Sequence, residues 1–157
     1  MKSTLQKFYS AFEKLDAETM VSCYAENVVF EDPAFGVLNG VHAKNMWRML
    51  CESQKGKDFR IEFSNLVADE KTGFAHWEAF YIFSQTGRKV HNKIDAYFEF
   101  ENGLIVTHKD DFNLHAWAKQ ALGFKGFLLG GTNYFKGKLQ HQTSRLLKKY
   151  EARNHEN

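Results

Sequence analysis

Three places in the 157-residue chain set carboxyl groups among apolar neighbours, where such a group can do acid-base work. Asp32 closes the run Val28-Val29-Phe30-Glu31 and stands directly before Pro33. There a carboxylate serves either as a turn former, accepting backbone N–H groups, or as a base in a pocket behind the turn. His108 and Asp110 stand two apart in a strand-like run, so they project from one face together with Val106 and Phe112. Side by side, the carboxylate can orient the imidazole and choose its tautomer, as a general-base pair or as a buried structural pair. Asp95 lies inside an aromatic strand pattern, where Asp is disfavoured. Its alternation partners Lys93, Tyr97 and Glu99 form a wet face, and Ile94, Ala96, Phe98 and Phe100 a dry one. Asp95 meets a cavity only if the cavity lies on the wet side. His76, His91 and His115 have no shared spacing that suggests coordination, so no metal is expected.

These side chains need elements to hold them. Leu5, Phe8, Phe12 and Leu15 repeat at three- and four-residue steps behind Ser3 and Gln6, which predicts a helix opened by a capping box. Asp16 can cap a second short helix through Met20, Val21 and Tyr24. A brief strand at Val28 to Glu31 is followed by a turn-rich stretch with Pro33, Gly36 and Gly40. A third helix buries Ala43, Met46, Trp47 and Leu50 and ends at Gly56. The period then changes to two. Four long strands, Phe59 to Ala68, Phe74 to Ser84, Arg88 to Glu101 and Leu104 to Asn113, are separated by Gly73, Gly87 and Asn102-Gly103. Strands joined so tightly form an antiparallel meander, with the helices covering one face. Trp77, Ala79, Tyr81 and Phe83 alternate with His76, Phe80 and Ile82, so the second face also calls for a cover, a dimer partner or the C-terminal segment. Ala116 to Leu122 reads as one or two helical turns, the glycines from Gly123 to Gly131 as a connector, and Thr132 as the start of a last helix striped by Phe135, Leu139, Leu146 and Tyr150.

The length suits one domain. An aromatic fraction of 15%, led by 15 Phe, suits a core that encloses space. The net charge of +2 argues against nucleic acid or an anionic membrane as partner of the whole chain. From Thr132 onward, however, six Lys and Arg face only Glu151 and Glu156. That basic helix reads as a solvated outer face. Cys23 and Cys51 fall in separate helical segments and imply no disulfide framework, which makes a reducing cytoplasm the default. No apolar run approaches spanning length, and the start runs straight into helical periodicity instead of a signal-peptide core.

The order of elements, with Val29-Phe30-Glu31-Asp32-Pro33, then Ile94-Asp95, then His108-Lys109-Asp110-Asp111-Phe112-Asn113-Leu114, resembles the nuclear transport factor 2-like superfamily. That group includes ketosteroid isomerases, SnoaL-like polyketide cyclases and limonene epoxide hydrolases. The resemblance covers about residues 3 to 122. It implies a cone-shaped α+β barrel in which N-terminal helices pack on a curved antiparallel sheet enclosing a pocket. By the isomerase pattern Asp32 would be the proton-shuttling base and Asp95 a protonated acid beside the developing oxygen, the arrangement that ketosteroid isomerase exemplifies. The hydrogen-bonding Tyr of that pattern falls on Phe8, which has no hydroxyl, so a plain steroid isomerase is not implied. The last-strand motif resembles that of the epoxide hydrolases and SnoaL-like proteins, though no Arg that would link two carboxylates is evident.

The resulting expectation is a SnoaL-like domain at residues 1–122, with a Gly-rich connector and basic helix at 123–157 packed on it. Asp32 acts as base, assisted by Asp110 with His108 or Asp95. Phe8, Phe12, Phe35, Trp47, Trp77 and Phe112 bind an apolar steroid-, polyketide- or terpenoid-like molecule. The chemistry needs no cofactor, and the exposed apolar sheet suggests a homodimer. The rivals are a non-catalytic ligand-binding or dimerisation module and an epoxide-hydrolase-type enzyme.

Overall fold

The computed structural model describes residues 1–155. Helix α1 (Lys2–Glu13) buries Leu5, Phe8, Tyr9, Ala11 and Phe12, the stripe that its periodicity demands. It starts with Met1 at the N-cap and no side-chain cap, so the Ser3–Gln6 capping box is not formed. Helix α2 (Ala17–Val21) is capped as expected, with Asp16 Oδ1 accepting the Thr19 N–H at 3.1 Å. Tyr24, which the periodicity put in that helix, instead begins strand β1 (Tyr24–Asp32). The turn-rich stretch contains a further short strand, β2 (Gly36–Asn39), folded back on β1. Helix α3 (Val41–Gln54) turns Ala43, Met46, Trp47 and Cys51 inward.

Strands β3 (Phe59–Ala68), β4 (Thr72–Phe83), β5 (Arg88–Glu101) and β6 (Leu104–Asp111) form the expected meander. Asn102 and Gly103 take φ of 50° and 83° in the β5–β6 turn, the double positive φ that the Asn-Gly pair advertises. The curved sheet has the order β2-β1-β6-β5-β4-β3 and does not close. Its one parallel pair, β1 with β6, brings distant sequence together. Phe30 pairs with His108 and Glu31 with Lys109, so one residue further along Asp32 and Asp110 leave neighbouring strands at the same end. Adjacent strands lie about 4.8 Å apart, which makes those two carboxyl groups neighbours.

The inner face of the sheet carries Ala75, Trp77, Ala79, Val90, Ile94, Ala96, Phe98, Ile105, His108 and Asp110, all buried. Helices α1 to α3 cover most of it, and α4 (Leu114–Leu122) packs on β5 through Trp117, Ala118 and Ala121. The Gly-punctuated stretch is itself helical, as α5 (Phe124–Leu129), before α6 (Asn133–His155). Its glycines serve packing: a Cβ on Gly126 would lie 1.8 Å from the Ala118 carbonyl oxygen, so α5 can rest on α4 only without one. The Thr132 hydroxyl accepts the Phe135 N–H at 3.1 Å and opens α6, which returns to α3. The C-terminal helices thus extend the inner cover; they do not cover the outer face, where Tyr97 and Ile82 stay 49% and 42% exposed. No described helix is long and apolar enough to cross a membrane.

The contact at Gly126 has a direct test. Gly126→Ala must push α5 off α4 or strain both, and should cost about 1–3 kcal/mol in urea unfolding. An unchanged midpoint would show that α5 does not depend on this close approach.

Candidate active site

Between the inner sheet and the helices lies a cavity of about 980 Å³. Phe12, Phe30, Trp47, Trp77, Ala79 and Ile94 wall it, and Asp32 and Asp110 both border it. Of the residues expected from sequence, Phe12, Phe35, Trp47, Trp77 and Phe112 also line this space. Phe8 does not border it. It is fully buried behind the wall, stacked on Tyr24 at 5.6 Å and edge-on to Trp47 at 5.4 Å. Asp95 is on the opposite side of the sheet, half exposed, with its Oδ1 2.7 Å from His76 Nδ1. The physical reason is the pleat: Ile94 and Ala96 take the dry face, which is the cavity side, so Asp95 must point outward.

Asp32 is at once a turn former and a residue of the cavity wall. Its Oδ1 accepts the N–H groups of Ala34 at 2.9 Å and Phe35 at 2.5 Å, which makes the turn at Pro33. The same carboxyl group borders the cavity. Burial pushes its pKa up to about 7, the backbone N–H of Phe35 pulls it down, and the negative charge of Asp110 pushes it up again. No described Lys or Arg forms an ion pair with either carboxylate.

Asp110 is only 4% exposed and is held from two sides. Its Oδ1 accepts the Trp77 indole N–H at 3.2 Å and lies 2.9 Å from His108 Nε2. The bonds behind His108 assign its tautomer. Trp47 donates its N–H to Tyr24 Oη at 2.7 Å, so the Tyr24 hydroxyl proton is free to go to His108 Nδ1, 2.6 Å away. Nδ1 then accepts, and Nε2–H donates to Asp110. Asp110 Oδ2 accepts nothing from the described residues. Tyr9 Oη is the sole described buried side-chain polar atom without a partner, so Oδ2 is not sealed in and opens on the cavity. His108 itself has no exposure and does not border the cavity, which it meets only by way of Asp110.

Tyr24 and the indole N–H groups of Trp47 and Trp77 are the polar members that sequence reading missed. The available signal was that a buried Tyr or Trp must find a partner for its polar atom, applied to rings read merely as wall. Also unforeseen was Asn92, on the cavity side of β5; Phe135, Leu139 and Leu146 of α6 border the cavity too. Among the described residues no cluster of three His, Cys, Asp or Glu could hold a metal ion.

The elevated Asp32 pKa implies a pH-dependent stability. In the unfolded chain this carboxyl ionises near pH 4, while in the folded chain it keeps its proton until about pH 7. Between those values the folded state binds more protons, so stability falls as pH rises, by at most about 4 kcal/mol. Asp32→Asn keeps an acceptor for Ala34 and Phe35 but cannot ionise. Relative to wild type it should gain stability from pH 4 up to about pH 7 and level off above that in urea unfolding; a difference independent of pH would mean that Asp32 ionises normally.

Comparisons with known proteins agree with this architecture. The SnoaL-like domain model matches residues 5–108. No curated protein sequence matches. Among solved structures, an LEH-like epoxide hydrolase from M. tuberculosis is 19% identical, with a TM-score of 0.60 over 80% of this chain and 90% of that one. A provisionally named polyketide cyclase from Xanthomonas campestris pv. campestris is 18% identical, with a TM-score of 0.61 over 76% and 94%. An NTF2-like protein of unknown function from Burkholderia pseudomallei is also 18% identical, with a TM-score of 0.63 over 76% and 95%. Identities this low show likeness of fold, whereas the family model spans most of the chain. The protein belongs to the SnoaL-like domain family of the NTF2-like superfamily.

Proposed function

We propose that the protein is an acid-base enzyme of isomerase or cyclase type, acting on an apolar carbonyl compound such as a steroid-, polyketide- or terpenoid-like molecule. The observation that carries this reading is the pair Asp32 and Asp110 at one apolar cavity, with the Asp32 pKa near 7. Two carboxyl groups that feel each other's charge in an apolar site divide the labour: one keeps its proton and the other does not.

The geometry favours a different division from the one expected from sequence. Asp110, with Oδ1 anchored by two N–H groups and Oδ2 toward the cavity, is the base. It takes the proton from the carbon next to the substrate carbonyl, and that C–H electron pair moves into the enolate. Asp32 in its acid form donates its proton to the developing oxygen. The enol then either takes back a proton at a different carbon, which is isomerisation, or attacks a second carbonyl, which closes a ring. Residues 1–122 supply the reacting groups, and the described residues from 123 to 155 complete the cavity. We further propose a homodimer across the uncovered outer face, where Tyr97 and Ile82 are exposed.

The same acid and base could open an epoxide with water, a reading that the likeness to the M. tuberculosis protein favours. Incorporation of 18O from labelled water into a diol would identify that outcome.

Deuterium exchange of α-protons in a panel of polycyclic and polyketide-like ketones, followed by NMR, tests the main reading. Asp110→Asn should slow exchange by about 10²–10⁴, the usual contribution of a general base. Asp32→Asn, whose amide can donate a hydrogen bond but cannot give up a proton, should slow it by about 10²–10⁴, the usual contribution of a general acid. Because Asp32 must be protonated, the wild-type rate should fall as pH rises through about 7, and this limb should vanish in Asp32→Asn. A bound ketone whose exchange is unaffected by either substitution would make the protein a non-catalytic binding module.

A further inference from the structure

The lining of the cavity is unevenly charged. Its two carboxyl groups lie at the end formed by β1 and β6, whereas exposed cations border its solvent side. Lys57 follows α3, Lys125 is on α5, and Lys138 and Lys149 are on α6. All four are exposed, and none forms an ion pair among the described residues. The single carboxylate on that side, Glu52, is engaged by Arg153 at 2.6 Å.

This arrangement follows from the helix period. Phe135, Lys138, Leu139, Gln142, Leu146 and Lys149 recur at steps of three and four, so one face of α6 looks onto the cavity. Its apolar members extend the inner wall. Lys138 and Lys149 are eleven residues apart, three turns and so on the same face, and span about 16 Å of the rim. What sequence alone read as a solvated basic face therefore contributes two cations to the mouth of the site.

We propose that the ligand is an amphipathic anion: an apolar ring or chain body inside the cavity, and a carboxylate, sulfonate or phosphate-type group at the lysine rim. This rests on the reading of the cavity as the substrate site and names the substrate class more closely. The rim attracts the anionic end and leaves the carbon skeleton to reach Asp32 and Asp110 first. A wholly neutral ligand of the same shape would lose that orientation.

Two fluorescent probes with one arylamine body separate these cases: 8-anilinonaphthalene-1-sulfonate carries an anionic group, and N-phenyl-1-naphthylamine does not. At low ionic strength the sulfonate should bind at least about 10-fold more tightly, and the gap should shrink in 1 M NaCl, where the Debye length is about 3 Å. Combining Lys57→Gln, Lys125→Gln, Lys138→Gln and Lys149→Gln should abolish the gap while leaving the neutral probe unaffected; all four are surface positions. The two probes should displace each other. Equal affinities at low salt, a gap that survives in the quadruple variant, or failure of mutual displacement, which would put the sulfonate on the exposed Phe124 and Phe127, would each overturn the proposal. No turnover is read. A sulfonate preference without α-proton exchange in any ketone would keep the rim and discard the acid-base chemistry, and the converse would discard the rim alone.

Discussion

A carboxylate with almost no exposure must be compensated by hydrogen bonds, or it does not stay ionised. Asp110 is compensated by two N–H donors that reach one of its oxygens from different sides, Trp77 on β4 and His108 on its own strand. Behind His108 the requirement passes inward, because its Nδ1 needs a hydrogen and Tyr24 provides it, held by the Trp47 N–H. Helix α3, strand β1 and the centre of the sheet are thereby tied to the orientation of one carboxyl group. The rings in this chain also pack on each other, with Trp47 stacked on His108 at 5.8 Å, so each polar contact is set in a rigid aromatic surround.

The second carboxyl group is governed by the first. Asp32 reaches the same place through the parallel pairing of β1 and β6, and it has only backbone N–H groups to hold it. In an apolar wall, with a negative charge nearby, those bonds do not bring its pKa back to the ordinary range. Keeping such a group is unfavourable for folding at neutral pH, and conflicts of that kind are found at sites kept for chemistry. Tyr9 shows a milder form of the conflict, a buried hydroxyl without a described partner whose pKa is raised first by burial and then by the Asp110 charge.

Much of this was legible in the residues because it depends on local periodicity. The meander, α1, the Asp16 cap and the shared face of His108 and Asp110 all follow from steps of two or of three and four. The alternation on β5 already separated Asp95 from the dry face, and the structure resolves that choice outward. What depended on contacts between distant segments was not legible. The β1–β6 pairing spans nearly eighty residues and has no local signature, so the adjacency of Asp32 and Asp110 could only be inferred through family likeness. Strand β2 was hidden by its glycines and by its length of four residues. Helix α5 was hidden for a related reason, since the glycines that read as a connector are what let it touch α4. Tyr24 looked like a helix residue because its spacing from Met20 fits a helix as well as a strand start.

The mechanism turns on Asp32 keeping its proton to near neutral pH in a buried position beside the Asp110 carboxyl group. Carbon-13 NMR of the Asp32 side-chain carboxyl, titrated from pH 3 to pH 9 in the wild type and in Asp110→Asn, measures this directly. The midpoint should lie near 7 in the wild type and lower once the neighbouring charge is removed. A wild-type midpoint near 4, unchanged by the substitution, would contradict it.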